Sequence, residues 1–273
     1  MTKHIPILAA TLAISSAAFA RAENPPPSID LSRFPAAEVK NVVVPVPSEV
    51  FAVLDKLGTP NWRGQLRKSL GKNTGNRAQV ALLLGTVIAE GFIAVEAEDS
   101  ERVKEIGREV LALAEAINVR KAVIARSKSI TDLAEARRWR EVRTEFDGAL
   151  NDVRSAMQEL GDDNLAQLVS LGGWTRGTEV LTAIVGDSFT SDGAELLHQP
   201  ELLSYFSETL SRMKSTRLGK DELVVRMRKM LDSIKPLIGK EDGTRISASN
   251  VKRINQLTGD TVSAITSEPG VAR

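Results

Sequence analysis

Three side chains sit where ordinary packing patterns do not explain them. Glu90 is a carboxylate inside the most apolar stretch of the chain, Ala78 to Val95. Arg176 is a guanidinium among the glycines of Leu171-Gly172-Gly173-Trp174-Thr175-Arg176-Gly177. A charge taken out of water needs a partner, because an unpaired buried ion costs several kcal/mol. Two arrangements are open for Glu90. It pairs with Arg176 across two central helices, or Gln79, Thr86 and Glu90, spaced seven and four, form one polar stripe that faces water. Trp174 raises a related choice, since each neighbouring glycine weakens a helix by roughly 1 kcal/mol relative to alanine. Either two helices approach closely there with the indole filling the core, or Trp174 and Arg176 line a cleft that meets a ligand. Glu90, Trp174 and Arg176 are therefore the candidate ligand-binding residues.

A nucleophile offers itself in Ile184-Val185-Gly186-Asp187-Ser188-Phe189-Thr190-Ser191-Asp192-Gly193. Its Gly-Asp-Ser-Phe resembles the first block of the Gly-Asp-Ser-Leu hydrolases. That resemblance covers about ten residues and implies Ser188 as the nucleophile on a turn after a strand. The family's base comes from an Asp-x-x-His segment near the C-terminus. Here His198 follows only ten residues after Ser188, in Glu195-Leu196-Leu197-His198, and the parallel-sheet pattern is missing. The structural alternative is that Gly186 ends a helix while Asp187, Ser188 and Asp192 make turn hydrogen bonds. On the main reading no catalytic residue is assigned, and Ser188 with His198 constitutes the ester-hydrolase alternative.

Metal chemistry is narrowly bounded. The chain has no cysteine and two histidines, of which His4 lies in the leader described below. Only oxygen donors remain in number, and these suit calcium or magnesium. Glu195 with His198 supplies at most one of the two Glu-x-x-His pairs of a di-iron bundle. The cluster Glu96, Glu98, Asp99 and Glu101 lacks the spacing and glycine of a calcium loop and reads as a solvated helix junction. No phosphate loop is present, Gly71-Lys72-Asn73-Thr74-Gly75 being a polar turn. No metal and no cofactor are expected.

The 36 Lys and Arg against 35 Asp and Glu leave a net charge of +1, and aromatics are only 4%. That balance argues against nucleic acid as a partner, and stacking platforms have little material. Locally the charge is uneven. Residues 90 to 115 hold eight acids against three bases, and residues 118 to 143 hold eight bases against three acids. Pairing across the bundle surface accounts for this, with a basic groove for an anionic partner as the functional alternative. The expected partner is accordingly an unidentified protein or an anionic envelope component.

The elements that must position these residues follow from the rest of the chain. Residues 1–20 combine Lys3, an apolar run from Ile5 and Ala18-Phe19-Ala20, the pattern of a secretory signal peptide cut before Arg21 or Glu23. Such a leader on a cysteine-free chain predicts a bacterial periplasmic or secreted protein. Residues 21–47 contain Pro25, Pro26, Pro27, Pro35, Pro45 and Pro47 and form an extended arm, with a short strand at 41 to 46 left open. Residues 48–240 are the bundle domain, and residues 241–273 an amphipathic helix with a frayed tail.

Helical periodicity dominates between these bounds. Val103, Ile106, Val110, Leu113 and Ile117 make one heptad stripe; Trp139, Val142, Phe146, Ala149, Val153, Ala156 and Leu160 make another. The fold class is all-α, an antiparallel bundle of about eight helices behind the proline-rich arm. No transmembrane segment is expected in the mature chain, because Gly85, Thr86, Glu90 and Gly91 interrupt the best candidate, Val80 to Val95. The dipeptides Leu84-Gly85 and Leu171-Gly172 sit in similar apolar helices and hint at a duplication. The functional expectation is an exported helical binding or interaction protein, with a self-associating scaffold as a third possibility.

Overall fold

The computed structural model describes residues 37–39, 42–44, 60–68, 76–239 and 244–267. The leader at 1–20, most of the arm and the tail beyond residue 267 lie outside the described residues. Within the arm, Ala37–Val39 and Val42–Val44 pair antiparallel, with Val39 opposite Val42. Everything else described is helical or connecting.

Eight long helices carry the fold: α1 (Arg77–Glu96), α2 (Ser100–Ala116), α3 (Arg120–Glu135), α4 (Trp139–Glu159), α5 (Asp163–Asp187), α6 (Pro200–Met213), α7 (Glu222–Ile234) and α8 (Ala248–Thr266). The joins between the first five obey one rule. Each spans three residues, and its middle residue takes the left-handed conformation: Glu98 (φ 51°), Asn118 (φ 65°), Arg137 (φ 55°) and Gly161 (φ 71°). Each is closed by the same two hydrogen bonds. The left-handed residue donates back to the carbonyl three before it, as Asn118 N does to Glu115 O at 3.0 Å. The next residue donates to the carbonyl five before it, as Val119 N does to Ala114 O at 2.8 Å. This is the Schellman closure, which satisfies the last carbonyls of a helix and turns the chain back.

Side-chain caps start the helices that matter for the site. Asn76 Oδ1 accepts from Ala78 N at 2.9 Å, Asp99 Oδ1 from Arg102 N at 3.0 Å, and Ser247 Oγ from Asn250 N at 3.2 Å. The helices fold into two halves. The first is α1 to α4, each packed on its sequence neighbour and α4 returning to α1; in the second, α8 lies along α5 and α7 bridges α8 and α6. The halves meet along α1 and α5, the most extensive contact between any two elements.

α1 is buried along nearly its whole length, from Ala78 to Val95. It is long and apolar enough to cross a membrane, and here α2, α4, α5 and α8 sheathe it. The two central helices touch backbone to backbone. A Cβ on Gly85 would clash with the Val169 carbonyl, and one on Gly172 with the Leu82 carbonyl. Close approach is therefore the reason for the glycines at this crossing.

Two local expectations are corrected. The stretch expected as a loop from Gly186 to Gly193 is largely helical, since α5 continues to Asp187 and Ser191–Ala194 forms a further turn capped by Thr190. Leu160, expected in the α4 stripe, is 56% exposed, and Met157 is buried instead. A straight helix drifts by about 20° per heptad, so the stripe slides off the strict repeat by its last turn. α3 has no long stripe in the sequence because its buried face alternates Val123 and Ile130 with the small Ser127 and Ala134.

Candidate functional site

The centre of the molecule is an ionic cluster. Glu90 on α1 is fully buried and Arg176 on α5 is 2% exposed, and Arg176 Nε donates to Glu90 Oε2 at 2.8 Å. The two charges neutralise each other across the helix crossing, and the polar-stripe alternative for Glu90 is overturned. Gln79 and Thr86 are buried as well: Gln79 Nε2 donates to Ile265 O at 3.0 Å and Thr86 Oγ1 to Leu82 O at 2.9 Å. The spacing of seven and four was real, but the face it marks looks at α5 and α8.

Three more charged residues complete the cluster. Glu179, one turn after Arg176, accepts from Arg176 Nη1 at 2.9 Å and from Arg67 Nη2 at 2.7 Å. Arg102 on α2 places Nη2 at 4.0 Å from Glu90 Oε1 and donates to the Arg67 carbonyl at 2.7 Å. Arg67 belongs to a segment before α1 that opens with a helical turn at Trp62–Gln65. Three guanidinia thus face Glu90 and Glu179, and Arg102 is balanced on its outer side by Glu105 at 2.9 Å.

The segment 61–67 is held by its backbone. Glu90 Oε1 accepts from Arg67 N at 2.5 Å, Arg176 Nη2 donates to the Gln65 carbonyl, and Arg102 takes the Arg67 carbonyl. Leu66 between them is extended (φ −67°, ψ 131°), so carbonyl, amide and carbonyl present themselves in turn to cation, anion and cation. Trp62, only 7% exposed, anchors the other end in the core. Arg67 Nε is the one buried nitrogen of this cluster without a hydrogen-bond partner.

Such an arrangement grips main chain. Both oxygens of Glu90 accept a hydrogen bond and the carboxylate is fully buried, so a substrate from solvent has no access to it for general-base work. Arg67, Arg102 and Glu179 were not legible as site residues. The i,i+3 placement of Glu179 after Arg176 was the available signal, whereas Arg67 and Arg102 reach Glu90 only through the fold.

Trp174 does not share this site. Two residues before Arg176 on the same helix, it projects about 200° away around the axis. There it packs against Phe206 with the rings tilted at 49° and their centroids 5.6 Å apart, and its Nε1 donates to Gln199 Oε1 at 3.3 Å. Trp174 and Arg176 therefore lie on opposite faces of α5; Trp174 is half-buried and, with Leu203, Ile234 and Ile254, lines a small pocket.

Ser188 and His198 are not joined by any hydrogen bond among the described residues. Ser188 is exposed just past the end of α5, and His198 Nδ1 lies 2.7 Å from the Ile238 carbonyl. The acidic junction is likewise engaged, Asp99 by Arg63 at 3.2 Å and Glu96 by Arg143 at 2.5 Å. Among the described residues no three Asp, Glu or His side chains gather as a metal-binding group.

No known protein family, curated protein or solved structure matches the chain.

The local charge imbalance is partly cancelled between helices. Arg120 meets Glu115 at 2.5 Å, Lys104 meets Glu135 at 3.4 Å, and Arg126 meets Glu145 at 3.1 Å and Asp152 at 2.5 Å. Four exposed cations of the α3–α4 hairpin, Lys121, Lys128, Arg137 and Arg140, have no ion pair among the described residues. Between the first two, Ile124 is 50% exposed.

Proposed function

We propose that this chain is an exported helical protein of the bacterial cell envelope, periplasmic or secreted, that acts by binding an anionic envelope component through the α3–α4 hairpin. The observation that carries the reading is the set of four exposed cations, Lys121, Lys128, Arg137 and Arg140, left over after the surrounding arginines have found carboxylates. Four cations strung along one hairpin, on a chain of net charge +1, attract anions locally without binding them everywhere. Export is supported by the apolar run after Lys3 and by Ala18-Phe19-Ala20. Binding in preference to catalysis is supported by the engagement of Glu90 and Arg176 with each other and of His198 with a carbonyl.

Two measurements test it. Produced with its leader in a bacterial host, the protein recovered from outside the cytoplasm should have an intact mass that starts at Arg21 or Glu23; Met1 retained in the cytoplasm refutes export. At low salt the protein should bind polyphosphate or vesicles containing phosphatidylglycerol, and charge reversal of the four cations together should abolish this. Binding that survives the reversal, or no binding to either probe, refutes the hairpin as the contact.

A further inference from the structure

Three large apolar side chains are exposed among the described residues: Ile124 (50%), Leu160 (56%) and Phe189 (38%). Their charged neighbours tell them apart. Leu160 stands between Glu159 and Asp162, and Phe189 between Asp187 and Asp192. Ile124 alone stands between cations, with Lys121 three residues before it and Lys128 four after it. Neither lysine has an ion pair among the described residues, and Arg126, two residues after Ile124, turns to Glu145 and Asp152 on α4.

On a helix these spacings gather Lys121, Ile124 and Lys128 within about 60° of one another, along a line about 10 Å long. Ala125 beside this line is exposed as well, and Asp132, exposed one turn after Lys128, ends the patch. An anionic polymer in water would engage the two ammonium groups and gain nothing from the side chain between them. A bilayer surface uses all three. The lysine stems lie over the apolar group while their ammonium heads meet lipid phosphates, and the isoleucine enters the boundary between headgroups and acyl chains.

We propose that the anionic partner of this hairpin is a lipid bilayer, and that α3 lies along its surface through Lys121, Ile124 and Lys128, with Ile124 inserted. The inference rests on the reading of the hairpin as an anion-binding surface and names its partner. Each cation near an anionic membrane contributes about fivefold to binding. Burying the exposed half of one isoleucine adds a factor of roughly the same size. Attachment is therefore weak and reversible, and it follows the density of anionic lipid. Phe189 and Leu160, each beside carboxylates, stay in water because the same surface repels their neighbours.

The chain has no cysteine, so a single introduced cysteine carrying a polarity-sensitive dye reports on one position. With vesicles of mixed phosphatidylcholine and phosphatidylglycerol at low salt, the dye at Ile124→Cys should shift its emission to the blue, and the dye at Phe189→Cys should not. Polyphosphate should shift neither. In vesicle sedimentation, Ile124→Ser should weaken binding about fivefold while leaving polyphosphate binding unchanged. Circular dichroism checks that each variant keeps its helices. Vesicle binding without a blue shift at position 124, or equal binding by Ile124→Ser, overturns the insertion and leaves the anion-binding reading of the hairpin standing. Binding to polyphosphate but not to vesicles does the same, and makes the partner a polymer. Binding to neither probe removes the anion-binding reading, and the bilayer with it.

Discussion

Gly85 and Gly172 are mirror partners in the α1–α5 crossing. The missing Cβ of Gly85 faces the carbonyl of Val169, three residues before Gly172, and the missing Cβ of Gly172 faces the carbonyl of Leu82, three residues before Gly85. The two helices therefore meet about a local two-fold axis, and a Cβ on Gly173 would lie 3.3 Å from the Gly85 carbonyl. The Leu-Gly parallel in the sequence corresponds to this reciprocity. Backbone cannot give way as a side-chain end can, so Gly85→Ala or Gly172→Ala should cost about 2–4 kcal/mol in urea melts. Gly177 lies in the same helix with open space at its Cβ, and Gly177→Ala should stabilise by about 0.5–1 kcal/mol.

Breaking the Glu90–Arg176 pair from one side strands a buried charge. Glu90→Gln or Arg176→Gln should each cost about 3–5 kcal/mol. Because the two share one contact, the double variant should lose less than the sum, with a coupling above about 1 kcal/mol in a double-mutant cycle. Additive losses would mean that each side chain acts through its other partners, Arg67 for Glu90 and Glu179 for Arg176.

Three of the four left-handed joins are occupied by residues with a Cβ, which costs roughly 1 kcal/mol or more at that conformation. Arg137→Gly should raise stability by about 0.5–1 kcal/mol, the gain reduced by the extra freedom of glycine in the unfolded chain. Gly161→Ala, the same comparison in reverse, should cost about 1 kcal/mol. Denaturant midpoints at constant slope decide both.

Burial pushes the Glu109 carboxyl up; Arg102 opposes this and Glu105 adds to it. A raised folded-state value means that the native protein holds this proton more tightly than the unfolded chain does. Its favourable contribution is complete at pH values below the unfolded range and is lost as pH rises through the folded value. Glu109→Gln, which fixes the uncharged form, should therefore raise the thermal midpoint at pH 7 and leave it unchanged near pH 3, below the ordinary glutamate range of about 4.3.

Much of this architecture is written locally. An apolar run on most faces marks α1 and stripes at three and four residues mark α2, α4, α6 and α8; Asn76, Asp99 and Ser247 cap α1, α2 and α8, and Pro200 opens α6. These are properties of neighbours within one or two helical turns, which sequence spacing records directly. Where the local record is thin, the reading fails: α3 buries small residues, and the joins at Glu98, Asn118 and Arg137 lack the glycine that marks Gly161.

The site itself was half legible. A carboxylate at position 90 and a guanidinium at position 176, each in apolar surroundings, announce by residue type alone that burial would be costly without a partner. Whether Glu90 turned to water or to Arg176 was settled only by the crossing of α1 and α5, because the rotation of a helix about its axis depends on what packs against it. Arg67 and Arg102 carry no mark in the sequence, being ordinary arginines in polar segments. They join the cluster because the three-residue join after α1 brings α2 alongside it and because Trp62 sinks into the core. A charge network that draws on four separate segments is set by how those segments pack, and spacing along the chain holds no record of that.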